Sequence, residues 1–156
     1  MIVRRVVLIT GPPCAGKTTM ATALAAESDG QVVDRDLIAR ALGSRSRHEH
    51  GRRITQRAEM RMRAELDRIA VADVVTAYVV RGMPEPGERE RLATRLRAEV
   101  VLLDPGMDEC LRRARADQRP DWTEDAIRQW YVRAGLAGPE SGRVRRSDQF
   151  HRSQEW

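Results

Sequence analysis

"VRRVVLITGPPCAGKTTMATALAAE", residues 3–27, sets a β-branched apolar run against a glycine-bounded loop and then a run of good helix formers. Val3–Thr10 has the pattern of a central strand buried on both faces. Gly11-Pro12-Pro13-Cys14-Ala15-Gly16-Lys17-Thr18 fits G-x-x-x-x-G-K-[ST], with the strand before it and the helix after it that the motif requires. Its glycines let backbone N–H groups turn inward around a phosphate, helped by the positive end of the helix dipole. The spacing predicts that Gly11 through Thr19 cradle a nucleoside triphosphate. Lys17 then bridges its β- and γ-phosphates, and the Thr18 hydroxyl reaches Mg²⁺. Cys14 occupies a variable position of the loop and reads as a small residue that fits.

Outward from this loop, strands and helices alternate. "QVVD" (31–34) predicts a second strand and "DLIARALG" a short helix closed by Gly43. "SRSRHEHG" reads as a mobile polar connector, followed by a long helix over 52–71 with Ile54, Met62, Leu66 and Ile69 on one stripe. "DVVTAYVV" (73–80) is the third strand, and a helix over about 87–97 turns Leu92 and Leu96 inward. "EVVLLDP" (99–105) is the fourth strand, and helices over about 107–117 and 123–134 follow. Asp121 and Glu124 have capping-box spacing for the last of these. This order implies an α/β fold, a P-loop NTPase three-layer sandwich of about four parallel strands flanked by helices. Ligands then bind at the carboxyl ends of the strands. Residues 1–138 read as one domain, and 139–156 as a polar, arginine-rich tail.

Composition narrows the function classes. Across 156 residues only two cysteines occur, far apart, so a disulfide framework is not expected and a reducing cytoplasm is. "MIVRRVVLIT" imitates a signal peptide, but its apolar run is too short. No stretch approaches a membrane span, so no membrane partner is expected. Of the 28 Lys and Arg residues, only Lys17 is lysine, in the one motif that needs a compact point charge. A genome favouring arginine codons would by itself explain much of the rest. The charge is nevertheless uneven. Residues 35–63 hold nine arginines against Asp36, Glu49 and Glu59, an excess greater than the +5 of the whole chain. Such a stretch suggests an anionic partner, although a solvated helix face has the same look.

Asp34-Arg35-Asp36 follows the second strand, at the sheet end that carries the phosphate loop. A carboxylate there can take the proton of an attacking hydroxyl or help to hold Mg²⁺. Asp36 is the expected base with Asp34 assisting; the plainer reading is that Asp36 only N-caps the next helix. After the fourth strand, Arg112, Arg113, Arg115 and Arg119 crowd one segment. Arg115 and Arg119, four apart, are expected to share a face that closes over the phosphates, leaving Arg112 or Arg113 outside. His48-Glu49-His50 lacks further ligands for a metal at sensible spacing. Trp130 reads as core.

These motifs together resemble the small P-loop kinases, most closely the kinase domain of phage-type polynucleotide 5′-hydroxyl kinases. The resemblance runs over about residues 3–135: the phosphate loop, the R-D element Arg35-Asp36, and an arginine-bearing lid in "EVVLLDPGMDECLRRARADQR". It implies a Mg²⁺-dependent kinase with ATP as donor, Arg35 and Arg40 on the acceptor side, and a nucleic acid with a 5′-OH end as acceptor. Two features depart from it. The spacing from R-D to Arg40 is off by one residue, and Arg81-Gly82 stands where the family has an acceptor-site aspartate. Two other readings therefore stay open. One is a kinase of a small acceptor such as a nucleoside, nucleotide or nucleotide sugar; the other is a nucleotide-binding regulatory module.

Overall fold

The computed structural model describes residues 4–136 and 143–146, the last four as backbone only. Along the chain run β1 (Arg5–Thr10), α1 (Lys17–Ser28), β2 (Gln31–Asp34), α2 (Arg35–Ala41), α3 (Arg52–Val71) and β3 (Thr76–Arg81). Then come α4 (Pro86–Leu96), β4 (Glu99–Asp104), α5 (Met107–Ala116), α6 (Trp122–Ala134) and β5 (Arg143–Arg146).

The strands form one sheet in the order β2-β3-β1-β4-β5. The first four are mutually parallel, in line with the expected α/β sandwich. The fifth, within the segment expected to be a tail, adds an antiparallel edge: Leu103 faces Val144 and Asp104 faces Arg143.

Because strand residues alternate between faces, β1 feeds two cores at once. Val6 and Leu8 join Val33, Ala77 and Val79 under Met62, Leu66 and Ile69 of α3 and Leu96 of α4. Val7 and Ile9 join Tyr78, Val101 and Leu103 on the other face, under Ala21 and Ala25 of α1. A third cluster packs α5 and α6 together through Cys110, Ile127, Trp130 and Tyr131.

Three local expectations need correction. The third strand begins at Thr76 rather than Asp73, since pairing with β1 starts at Arg5 opposite Thr76. In α3 the buried stripe is Ala58, Met62, Leu66 and Ile69, with Ile54 only half-buried. At α6, Asp121 already has helical dihedrals and its side chain caps nothing. Glu124 turns instead to Arg115 and Arg128.

Candidate active site

The carboxyl ends of β1 and β2 meet at the first turn of α1. Gly11 leaves β1 with φ +153°, and a Cβ there would lie 2.5 Å from the Leu103 carbonyl oxygen. Only glycine fits. Its N–H bonds the Gly82 carbonyl at 3.3 Å, tying the loop to the end of β3. Cys14 also adopts a left-handed conformation, φ 64°. Gly16 is the N-cap of α1 and offers no side chain to cap it, which leaves the first N–H groups of the helix for an anion.

Lys17 folds back over the loop, donating from Nζ to the Pro12 carbonyl at 2.6 Å. Burial pulls its ammonium down to about 8, while Asp34 pulls the other way. Burial raises the Cys14 thiol, which makes it a poor nucleophile.

Thr18 Oγ1 donates to Asp34 Oδ2 at 2.5 Å. The other Asp34 oxygen accepts the Asp36 backbone N–H at 2.8 Å, so Asp34, and not Asp36, caps α2. Asp34 is only 5% exposed. A hydroxyl and a buried carboxylate side by side next to Lys17 are the hard oxygen donors that suit Mg²⁺. Among the described residues no group of three or more His, Cys, Asp or Glu could hold a metal. Mg²⁺ would therefore complete its shell with water and phosphate oxygens, as it ordinarily does.

Asp36 lies in the first turn of α2, within the short helix expected there. It is half-buried and faces the connector between α2 and α3. His50 Nε2 stands 3.5 Å from Asp36 Oδ1, and His48 Nδ1 3.9 Å from Oδ2. Arg35 Nε is 3.7 Å from the same carboxylate. The connector is folded back and held: Ser44 Oγ meets His50 Nδ1 at 2.7 Å, and Ser46 Oγ accepts the Glu49 N–H at 3.0 Å. Burial and Arg119 lower the His48 pKa, opposed by Asp36. Arg40 is exposed at the end of α2, with no partner among the described residues.

The lid arginines differ most from expectation. Arg115 turns outward to Glu124, with bonds of 2.8 and 3.0 Å. Arg112 binds Glu109 on the surface. Arg113 instead reaches the loop, donating from Nη1 to the Cys14 carbonyl at 3.2 Å while Glu109 steadies its Nε. Arg119 is mostly buried, and its Nε has no hydrogen-bond partner among the described residues. With Arg47, His48 and Asp117 it lines a cavity of about 510 Å³ between the connector and the α5–α6 turn.

Arg81 faces α3, held by two bonds to Glu59 at 3.0 and 3.3 Å. Trp130 is core, with its indole N–H on the Gly82 carbonyl at 2.9 Å. Asp104, at the end of β4, is buried and accepts from Tyr131 at 2.8 Å, an anchor that no local pattern announces.

A family model described as AAA domain matches residues 6–130. No curated protein sequence matches. Among solved structures, the Pnkp1/Rnl/Hen1 RNA repair complex superposes with a TM-score of 0.63 at 16% identity, over 86% of this chain and 45% of that one. This chain therefore spans less than half of that relative. Shikimate kinase from Acinetobacter baumannii, in complex with shikimate, superposes with a TM-score of 0.57 at 20% identity, covering 86% and 79% of the two chains. Shikimate kinase from Bacteroides thetaiotaomicron gives 0.52 at 22% identity, covering 83% and 77%. The shared fold is that of small P-loop kinases.

Proposed function

The chain belongs to the AAA domain family, and from that premise we propose that it is a phosphotransferase moving the γ-phosphate of ATP to the 5′-hydroxyl of a polynucleotide. The observation that carries transfer to a hydroxyl is the division of labour between two aspartates. Asp34 is bonded to Thr18 beside the loop, while Asp36, two residues on, makes no bond to Thr18 and stands instead against Arg35, His48 and His50 at the connector.

Lys17 and the open first turn of α1 bind the β- and γ-phosphates. Thr18 and Asp34 are the residues that would hold Mg²⁺, which supplies charge neutralisation across those phosphates when bound. Asp36 receives the proton of the acceptor hydroxyl and orients its oxygen toward the γ-phosphorus. Arg113 on the loop, with Arg119 behind it, offsets the charge of the transferring group. Arg113→Ala is expected to lower kcat by about a hundredfold or more. Arg115→Ala, which removes only a surface ion pair, should stay within a few-fold; steady-state transfer kinetics of the two variants check the assignment.

A polynucleotide acceptor is supported by the basic excess of residues 35–63, the stretch that begins at Arg35-Asp36. The fold is shared both with an RNA repair complex and with shikimate kinases, so the acceptor is decided by chemistry rather than by fold. A small acceptor, the second reading, is favoured by Arg81 being committed to Glu59. Salt separates the two. The KM for a polynucleotide should rise steeply between about 50 and 200 mM salt, whereas that of a small neutral acceptor should not move.

A further inference from the structure

The arginines of this chain are not alike in what they touch. Along β3 and α4 to α6, Arg81, Arg95, Arg112, Arg113, Arg115, Arg128 and Arg133 each bind a carboxylate. Arg4, Arg89 and Arg97 donate to carbonyls. Arg35, Arg63, Arg68 and Arg119 each have a carboxylate within 4.0 Å. Among the arginines whose side chains are described, apart from Arg5 and Arg91, those with neither kind of partner all lie between Arg40 and Arg61. A codon preference would account for the number of arginines, but not for why the unpartnered ones gather in one place.

Within that segment, Arg53, Arg57 and Arg61 are all exposed and recur every four residues on α3. They form a stripe along one face, and like charges at that spacing oppose one another. No acid among the described residues relieves them: Glu59 is taken by Arg63 and Arg81, and Glu65, one turn past Arg61, by Arg68. Four residues of helix rise about 6 Å, close to the separation of successive phosphates along a single strand. The stripe also begins at the right place. His50, two residues before α3, has its ring beside the Asp36 carboxylate.

We propose that the exposed face of α3 is a track for a single-stranded nucleic acid, with Arg53, Arg57 and Arg61 contacting successive backbone phosphates of a strand whose 5′ end lies at Asp36. This rests on the reading of Asp36 as the acceptor-side carboxylate. It adds a direction of the strand and a footprint of a few nucleotides.

The test is fluorescence anisotropy with a 5′-OH single-stranded 12-mer carrying a dye at its 3′ end, titrated with protein at several salt concentrations. Arg53→Ala/Arg57→Ala/Arg61→Ala is compared with the wild type and with Arg91→Ala/Arg112→Ala/Arg128→Ala, which removes the same charge elsewhere. The track variant should bind at least tenfold more weakly and lower the slope of log affinity against log salt by about 2, as three lost single-strand phosphate contacts require. The control variant should keep the wild-type slope, and all three proteins should bind ATP alike, which shows that they are folded. Equal losses in the two variants, or none in the track variant, would overturn the track. Phosphate transfer to the same 12-mer is read separately. A wild type that binds it through the stripe but phosphorylates only small molecules refutes the proposed function and leaves the track standing. Transfer to the 12-mer undiminished in the track variant does the reverse.

Discussion

Lys17→Met is expected to lower phosphate transfer by about three orders of magnitude or more, without unfolding the protein. The loss follows from position. The Lys17 ammonium lies over the loop, bonded to the Pro12 carbonyl 2.6 Å away, and is the single lysine of the chain. Removing a charge placed where negative charge moves during reaction costs far more than a surface pair. The stability half of the prediction follows from the same burial. In the nucleotide-free protein Lys17 titrates near 8, below the ordinary lysine value of about 10.4. The folded state thus gives up its proton more readily than the unfolded chain. Between those two values the unfolded chain holds more protons, so stability rises with pH. Below pH 8 the buried charge is a cost, which methionine removes. Urea denaturation of the nucleotide-free proteins at pH 7 and pH 9.5 should show the variant at least as stable as the wild type at pH 7, with the wild type gaining on it at pH 9.5. A variant that unfolds at pH 7 would mean that the lysine supports the loop rather than serving a ligand.

Asp36→Asn should lower kcat by about 10²–10⁴ and leave the affinity for ATP within a few-fold, because Asp36 lies outside the loop and touches neither Lys17 nor Thr18. Its neighbours are Arg35, His48 and His50. Asparagine preserves the size of the side chain but cannot accept the proton of the hydroxyl. Kinetics of transfer set beside calorimetric ATP binding separate the two quantities. Unimpaired turnover would remove Asp36 from the reaction, and a matching loss of ATP affinity would place it in the nucleotide site.

The phosphate loop was legible because everything it needs is contiguous: a strand, two glycines six positions apart counting both ends, a lysine and a helix. The sandwich followed from the same logic, since each strand is a plain apolar run. The different surroundings of the two aspartates were not legible in that way. Asp34 meets Thr18 only because the end of β2 comes against α1, a contact made by the fold and not by neighbours in sequence.

The lid failed for a different reason. Arg113 and Arg115 flank the apolar face of Cys110, Leu111 and Ala114 from opposite sides, and helical phase does not say which flank meets the loop. Pairing Arg115 with Arg119 also assumed an unbroken helix. In fact α5 ends at Ala116, and Gln118 has φ 50°, so four-residue spacing loses its meaning there. In sequence, the histidines of His48-Glu49-His50 offer no role, since they lack further ligands for a metal. Their actual neighbour, Asp36, is reached only because the connector folds back onto α2.

The most direct test of the account is transfer of labelled γ-phosphate from ATP to a 5′-OH oligonucleotide, run beside a panel of free nucleosides, nucleotides and nucleotide sugars. The account predicts label on the 5′ end of the oligonucleotide, lost in Lys17→Met and Asp36→Asn. Label confined to a small molecule, with the oligonucleotide untouched, would contradict it.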